Sequence, residues 1–490
     1  MSNLSELLPA GGAAKEFEVV ASGTLPNGKP VVLKADGTVE VVAPLTVSTS
    51  IPTGSETTFY SANVANTVVA FDPNDSGKFV VIYTASATYP WASYAIVGTV
   101  SGTSISFGTA VAMTSDESAW HSIAFDPNTA GKFIVVYRGT SALGYSVVGT
   151  VSGTSVSFGT AVVYNNAVTV WMELAFDPFN AGKFVVAFKD GGNSNYGKAI
   201  VGTMSGTSLT YGSEYTFNSG TTDWMSVAFD SNTENSFVVA YMDRGNSLYA
   251  TACVGIISGT TISFGSEHIF NSSGSYNTYV RFNPSTAGQF VVAYKDNSAE
   301  AVVGTVSGTS ISFGTKVAFA SSSGTPTLNF DPNIANTFVV AYENSSSYAT
   351  AIVGTVSGTS LSFGTAYVIN AGSSQHIMVS VDPLNAGRFV VVYRDYASGG
   401  IGNSRLGQVG YTGTNLTATN FAGTATAAFT NGQTATIVPQ GGVSTNQTSL
   451  TIGSTYYVQP AGTLATSAGT PSVVAGKAIS ATSLILKGNS

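Results

Sequence analysis

Hydrophobic residues recur along this chain in short runs without a helical period. Within the unit 122–159, the run 133–137 (Phe-Ile-Val-Val-Tyr) is apolar at every position. An unbroken run of β-branched and aromatic residues is typical of a strand buried on both faces. The preceding stretch, 122–125, ends at Asp-Pro, which stops a strand and opens a turn. After the run, 148–151 and 156–158 flank Ser-Gly-Thr, a hairpin signal, so the unit predicts four short strands.

This unit occurs seven times. The residue that precedes the proline of the turn, or stands in its place, recurs at spacings of 54, 51, 53, 53, 48 and 51 residues. These anchor positions are Asp72, Asp126, Asp177, Asp230, Asn283, Asp331 and Asp382. A period near 50 with four strands per unit is typical of a propeller. The sequence therefore predicts an all-β protein with a seven-bladed β-propeller over residues 49–423.

The ring is predicted to close through a strand from the beginning of the chain. Residues 49–60 carry the pattern of a fourth strand before any first strand has appeared, whereas the last fourth-strand copy, 414–423, has lost its register. We expect 49–60 to supply the outer strand of blade seven and to pair with 405–411. In each complete blade the outer strand, for example 106–113, is expected to be one strand bent at its glycine.

The two chain ends lack the repeat but keep β character. Residues 1–48 are predicted to form a small β module with strands at 17–21, 30–34 and 38–42. Residues 424–490 are predicted to form a second β module. Because both leave the ring at blade seven, we expect the two modules to lie side by side.

Composition excludes some partners. Only 9% of the 490 residues are charged and the net charge is −8, so the chain has no bulk attraction for nucleic acid or anionic lipid. Its single cysteine, Cys253, allows no intrachain disulfide. No stretch is long and apolar enough for membrane insertion, and the N-terminus lacks an export signal.

The sequence offers no catalytic or metal-binding pattern. His121, His268 and His376 lie in different repeats without ligand spacing, and no Gly-x-Ser-x-Gly elbow precedes a helix. The repeated anchor Asp is expected to be a structural turn residue. Charged pairs after the second strands, such as Lys189-Asp190 and Arg394-Asp395, are expected to be solvated strand ends. We predict no enzyme activity, no metal and no cofactor.

In a blade of four strands, the first-to-second and third-to-fourth turns lie on one face of the ring, and the other connections lie on the opposite face. The sequence predicts that one face is nearly uniform and the other varies. The first-to-second and third-to-fourth turns are nearly identical in every copy, whereas the other connections differ in length and content. The tryptophans fall on the varied side, where aromatic side chains could stack on a flat ligand; the alternative is that they pack between blades. The candidate ligand-binding residues are Trp91, Trp120, Trp171, Trp224, His376 and Tyr89.

The chain ends also resemble proteins of known type. The segment 16–28 is similar to the opening of structural proteins of tailed bacteriophages, and 456–458 with 478–482 is similar to modules at the ends of phage fibre proteins. This resemblance implies a virion protein, a tail fibre or appendage, that joins other virion proteins through its terminal modules. The oligomeric state stays open, with a homo-oligomer as one alternative.

Three functions then compete. The first is a tail-fibre propeller whose varied face adsorbs to the host surface by binding a glycan. The second is a capsid decoration with a purely structural role. The third is a glycan-degrading propeller enzyme, which the missing pair of facing carboxylates disfavours.

Overall fold

The repeated apolar run forms the second strand of each blade. The computed structural model describes residues 16–34, 37–43, 46–48, 54–86, 91–321, 324–412, 414–469 and 471–487. The chain divides into a larger unit, Thr49–Asp331 with Asn336–Val409, and a smaller unit, Met1–Ser48 with Pro332–Ala335 and Gly410–Ser490. In the larger unit the second strands are Lys78–Ala85, Lys132–Arg138, Lys183–Asp190, Ser236–Asp243, Gln289–Lys295, Thr337–Glu343 and Arg388–Asp395.

Each second strand is flanked by a first strand on the inner side and a third strand on the outer side, both antiparallel to it. The first strands are Val64–Phe71, Ala119–Phe125, Thr169–Phe176, the end of Ser208–Phe229, Tyr276–Phe282, Thr327–Phe330 and the end of Tyr367–Val381. The third strands are Ser93–Ser101, Gly144–Ser152, Tyr196–Ser205, Tyr249–Ser258, Ala299–Ser307, Tyr348–Ser357 and Ile401–Gln408. The protein is therefore an all-β, seven-bladed propeller.

The fourth strands are bent, as predicted. In blade one, Ser104–Phe107 and Val111–Ala112 both pair with the same third strand and are separated by a break that begins at Gly108. A Cβ at Gly108 would lie 2.0 Å from the Thr154 carbonyl oxygen of the next blade, so glycine permits this close approach. The remaining fourth strands are Ser155–Phe158 with Val162–Asn165, the start of Ser208–Phe229, Thr261–Phe264 with His268–Asn271, Ser310–Phe313 with Val317–Ala320, and Ser360–Phe363 with the start of Tyr367–Val381.

A phenylalanine lying across a glycine forms the centre of each blade. The Phe133 ring covers Gly149 of the third strand, where an added Cβ would lie 2.0 Å from the ring. The same ring meets Phe158 of the fourth strand edge-on, with ring centroids 6.1 Å apart. All seven blades repeat this Phe–Gly pair, which explains the glycine in the Val-Gly-Thr motif. The pairs are Phe79–Gly98, Phe133–Gly149, Phe184–Gly202, Phe237–Gly255, Phe290–Gly304, Phe338–Gly354 and Phe389–Gly407.

Ring closure follows the sequence prediction with a shifted register. The strand Thr57–Tyr60 pairs with Ile401–Gln408 as the outer strand of blade seven, with Thr58 opposite Asn403. The Gly54 amide extends this pairing by donating to the Leu406 carbonyl at 3.0 Å. The pairing thus covers 402–406 rather than 405–411, and residues 49–53 lie outside the described part of the chain.

The smaller unit draws strands from both chain ends. One sheet has the order Phe17–Val20, Thr434–Pro439, Phe421–Ala425, Pro30–Leu33, Val39–Val41, which confirms the three predicted N-terminal strands within one or two residues. A second sheet has the order Val443–Ser444, Leu484–Leu486, Val473–Ala478, Thr455–Val458, Leu464–Ala465. Gly410–Thr412 pairs with Thr46–Ser48.

The two ends therefore form one unit rather than two modules. N-terminal and C-terminal strands alternate within one sheet, and Val32 and Val42 share a buried cluster with Tyr456 and Leu484. Residues 410–423, predicted to belong to the propeller, lie with this unit because Phe421–Ala425 pairs with Pro30–Leu33. Pairings so distant in sequence leave no local signal.

Helix is nearly absent. The only helical element among the described residues is a single 3-10 turn, Thr140–Ala142. Within those residues, none of the helical structure is long and apolar enough to cross a membrane.

The contact between phenylalanine and glycine predicts that one methyl group added at the glycine lowers the free energy of unfolding. Gly149→Ala places its Cβ inside the space of the Phe133 ring, and such overpacking destabilises by about 1–3 kcal/mol. We expect the variant to lose that amount of unfolding free energy in urea denaturation. The control Ser157→Ala, at an exposed position of the neighbouring strand, should change stability by less than about 0.5 kcal/mol. Equal stability of the two variants would contradict the role given to the pair.

Candidate functional site

Because each blade has four antiparallel strands, alternate connections lie on opposite faces of the propeller. We call the face that carries the anchor-Asp turns and the Ser-Gly-Thr turns the turn face. The opposite face, which carries the second-to-third and fourth-to-first connections, is the loop face.

The anchor Asp ties neighbouring blades together on the turn face. Asp126 Oδ1 accepts the Asn128 N–H at 2.9 Å within its own turn, and its Oδ2 accepts the Gly182 N–H of the next blade at 3.0 Å. Asp126 is fully buried, so these bonds replace the water that it loses. The same interblade bond joins Asp72 to Gly131, Asp230 to Gly288 and Asp331 to Gly387. The prediction that the repeated Asp is structural is confirmed.

The inner strands carry a bulge near the loop face. The residue six positions before the anchor has a left-handed φ, between 49° and 57°, in six of the seven blades. The six are Asn66, Trp120, Trp171, Trp224, Asn277 and His376. Asn and His adopt this conformation more readily than other residues, whereas it is strained for a bulky side chain. This bulge could not be predicted from the sequence, because the alternation of apolar and polar residues does not mark an extra residue.

Three of the predicted site residues meet at this bulge. The ring centroids of Trp120 and Trp171 are 4.1 Å apart, and those of Trp171 and Trp224 are 3.6 Å apart. Trp171 also packs on the buried cluster around Val227 and Tyr241. The indoles are half-buried, so packing accounts for part of their surface and the rest remains open to solvent. Ligand binding by these residues stays a prediction.

The other predicted residues lie elsewhere on the loop face. Trp91 lies in the second-to-third connection of blade one and is 46% exposed. His376 lies at the bulge of blade seven with an exposed side chain, and its backbone carbonyl accepts the Thr67 hydroxyl at 2.7 Å. Tyr89 falls outside the described residues.

A serine–histidine pair occurs beneath the loop face, but it is structural. His121 Nδ1 donates to the Asn66 carbonyl at 3.0 Å, so Nε2, 2.8 Å from Ser93 Oγ, accepts the hydroxyl proton. Ser93 also accepts a hydrogen bond from Ser118 and is fully buried. A nucleophile without solvent access cannot reach a substrate. Burial lowers the pKa of His121 to about 4, so the ring is neutral at pH 7.

An ion pair joins two inner strands. Arg281 of blade five donates to Glu173 of blade three at 2.8 Å, and its guanidinium lies 4.2 Å from the Tyr279 ring centroid. Glu173 also accepts the Val227 N–H at 3.1 Å. Both charges are therefore compensated within the protein. The sequence showed these residues only as isolated departures from the repeat.

The cationic side chains of the loop face differ in whether a carboxylate pairs with them. Lys189 and Arg244 share Asp223, at 2.6 and 2.8 Å. Arg394 has no carboxylate within ion-pair distance in the described part of the chain. Its Nη1 donates to Gln375 at 3.2 Å, and its guanidinium lies 5.0 Å from the Tyr396 ring centroid.

Three of the acidic partners in the four charged pairs are buried rather than solvated, contrary to expectation, whereas the fourth, Asp296, is half-buried. Asp190, Asp243 and Asp395 are buried. Each accepts backbone N–H groups of the connection that follows it, as Asp190 does from Gly192 at 2.9 Å. These carboxylates shape the loops and are not free for a ligand.

Metal binding finds no support in the described residues. They contain no group of three or more His, Cys, Asp or Glu side chains that could hold a metal ion. Cys253 is fully buried in its strand, and burial raises the pKa of its thiol.

The comparisons with known proteins concern the propeller. No protein-family model matches this chain, and no curated protein matches it. The Swd1 (Cps50) β-propeller domain of Myceliophteria thermophila is similar at 8% identity and TM-score 0.47, covering 72% of this chain and 99% of that one. Sqt1 of Chaetomium thermophilum, solved with the N-terminus of ribosomal protein L10, has 10% identity and TM-score 0.47, covering 73% and 98%. A chain of the mitotic checkpoint complex has 10% identity and TM-score 0.49, covering 75% and 95%.

The prediction of a phage virion protein is wrong. The similar solved structures are the propellers of Swd1 and Sqt1 and a chain of the mitotic checkpoint complex, and none of these is a phage tail fibre, a capsid decoration or a glycan-binding phage protein. The segments behind the prediction form short strands and turns of the smaller unit, such as Phe17–Val20 and Thr455–Val458. Short β segments of this kind do not identify a function.

The buried histidine makes stability depend on pH. The unfolded-state pKa of His121 is near its ordinary value of 6.5 and the folded-state pKa is about 4. The unfolded chain therefore binds the proton first, and stability falls as pH decreases from about 6.5 to about 4. We expect the wild-type chain to lose about 3 kcal/mol more than His121→Gln over this range, measured by urea unfolding at each pH. Parallel curves for the two proteins would show that His121 does not carry this dependence.

Proposed function

We propose that this protein is a non-enzymatic binding module that engages a protein partner through the loop face of its propeller. The observation that carries the proposal is the exposure of large apolar side chains on that face. Trp91 is 46% exposed, Val168 50%, Tyr276 40% and Tyr396 56%. Aromatic residues are enriched in protein interfaces and supply much of their binding energy.

The turn face is less suited to this role. Its anchor carboxylates and turn amides are used in bonds between blades, as in Asp126 to Gly182. Phe179 is the one large apolar side chain there that is strongly exposed among the described residues, at 47%. The loop face, in contrast, combines exposed aromatic residues with connections that differ from blade to blade, which is what recognition of a specific partner requires.

Binding is favoured over catalysis by the polar groups. The serine–histidine pair is buried, and the loop-face acids Asp190, Asp243 and Asp395 cap backbone amides. A reacting site needs an accessible nucleophile or acid–base pair. The groups best placed for such a role are instead used in folding.

A displayed library of short random peptides, selected on the immobilised full-length chain, tests the proposal. Enriched peptides should bind the wild-type chain in fluorescence anisotropy and should lose about tenfold or more in affinity with Tyr396→Ser and with Tyr276→Ser. The matched control Phe179→Ser removes an equally exposed aromatic side chain from the turn face and should leave affinity unchanged.

Two results would overturn the proposal. One is that no peptide is enriched over a bare support. The other is that Phe179→Ser weakens binding as much as the loop-face variants. Because all three side chains are exposed, thermal unfolding should show the variants folded as well as the wild type.

A further inference from the structure

The mouth of the central channel on the loop face is asymmetric. The seven residues six positions before the anchors surround this mouth. Blades two to four present the indoles of Trp120, Trp171 and Trp224, in mutual contact. The other four positions hold short or polar side chains. These are Asn66, Asn277, Thr325 and His376. The mouth therefore has an aromatic wall and a polar wall.

The aromatic wall has a conformational cost. A left-handed backbone is strained for a bulky L-residue, whereas Asn tolerates it. The chain uses Asn at two of these bulges, yet it places Trp at three consecutive ones, with φ of 57°, 53° and 53°. Contact among the indoles offsets part of this cost, but each indole remains half-buried. The exposed remainder is a rigid apolar surface at the channel mouth.

The polar wall contains an uncompensated positive charge. Gln375, next to His376 in the inner strand of blade seven, pairs across the strands with Arg394. The Nε of Arg394 is shielded from solvent and has no hydrogen-bond acceptor in the described structure. Such a group is costly unless an acceptor is supplied. By contrast, Lys189, Arg244 and Arg281 already have carboxylate partners.

We propose that the channel mouth recognises a protein segment in which an aromatic side chain lies next to carboxylates, the aromatic ring packing on the indole wall and a carboxylate pairing with Arg394. This inference rests on the proposed function and specifies the chemistry of its partner. The Nη atoms of the guanidinium, rather than the shielded Nε, offer a carboxylate two parallel N–H donors, which fixes its orientation.

A basic segment fits the mouth less well. The buried acids Asp190, Asp243 and Asp395 are occupied by backbone amides, and Asp223 is shared by two cations. The exposed acids Asp116 and Glu117 lie in the connection from blade one to blade two and not in blade seven, which carries Arg394. A basic segment would also place its charge against the uncompensated guanidinium.

Four fluorescein-labelled peptides of equal length test the inference on the full-length chain. One carries Phe between Glu residues. The second replaces Phe with Ala, the third replaces Glu with Gln, and the fourth replaces Glu with Lys. Anisotropy titrations should give the Glu–Phe peptide an affinity about tenfold or more above each of the others. Its binding should weaken as salt concentration rises.

Variants assign the contacts. Arg394→Gln should bring the Glu–Phe and Gln–Phe peptides to the same affinity, and Arg394→Lys should restore part of the difference. Arg244→Gln removes a loop-face cation that Asp223 already compensates and should change affinity by less than about twofold. Trp171→Phe should weaken binding of the three peptides that contain Phe and leave binding of the Ala peptide unchanged, while thermal unfolding verifies that the variant is folded.

Equal affinity for the Glu–Phe and Lys–Phe peptides, or an unchanged preference in Arg394→Gln, would overturn the inference. Selected peptides that bind the loop face without an acidic–aromatic pair would also overturn it and would leave the proposed protein binding intact. Failure to enrich any peptide would overturn both.

Discussion

The pairing of Thr57–Tyr60 with Ile401–Gln408 is the constraint on which the propeller depends. It joins residues about 345 positions apart by noncovalent contacts, with Thr58 donating to Asn403 at 2.8 Å and Glu56 accepting from Asn403 at 2.9 Å. Without it, the third strand of blade seven would expose its edge, and blades one and seven would each expose an apolar face. The buried cluster of Phe59, Val81 and Val392 covers those faces only when the ring is closed.

A closed ring also explains how the two faces come to differ. Four of the seven anchors, Asp72, Asp126, Asp230 and Asp331, accept a backbone N–H of the next blade, so the same bond recurs on the turn face. On the loop face, bulge carbonyls accept hydrogen bonds from the next blade, as His376 does from Thr67 and Asn66 from His121, while the connections vary in length and sequence. At the inner-strand bulge, the residue six positions before the anchor has a left-handed φ in six of the seven blades, and its side chain differs between blades. The turn face thus holds the blades in place, while the loop face presents side chains that differ from blade to blade.

Much of the propeller was predictable because its signal is periodic. The seven anchors, the fully apolar second strands and the bent fourth strands are all local patterns, and the closing strand at Thr57–Tyr60 was recognised as a displaced copy of one of them. The shared terminal sheet was not predictable, since Phe17–Val20 pairs with Thr434–Pro439 across the whole chain. The candidate site was found only in part. The tryptophans stood out by type, but the bulge that gathers them and the unpaired Arg394 depend on geometry.

Hydrogen exchange measured by mass spectrometry on wild-type protein and on Phe59→Ala tests the closure most directly. In the wild type, the third strand of blade seven, Ile401–Gln408, should exchange as slowly as its equivalent in blade four, Tyr249–Ser258. Phe59→Ala removes a buried ring from the closing strand and should accelerate exchange in Ile401–Gln408 and Val64–Phe71 while leaving Tyr249–Ser258 protected. Rapid exchange of Ile401–Gln408 in the wild type, or no change there in the variant, would contradict closure by this strand.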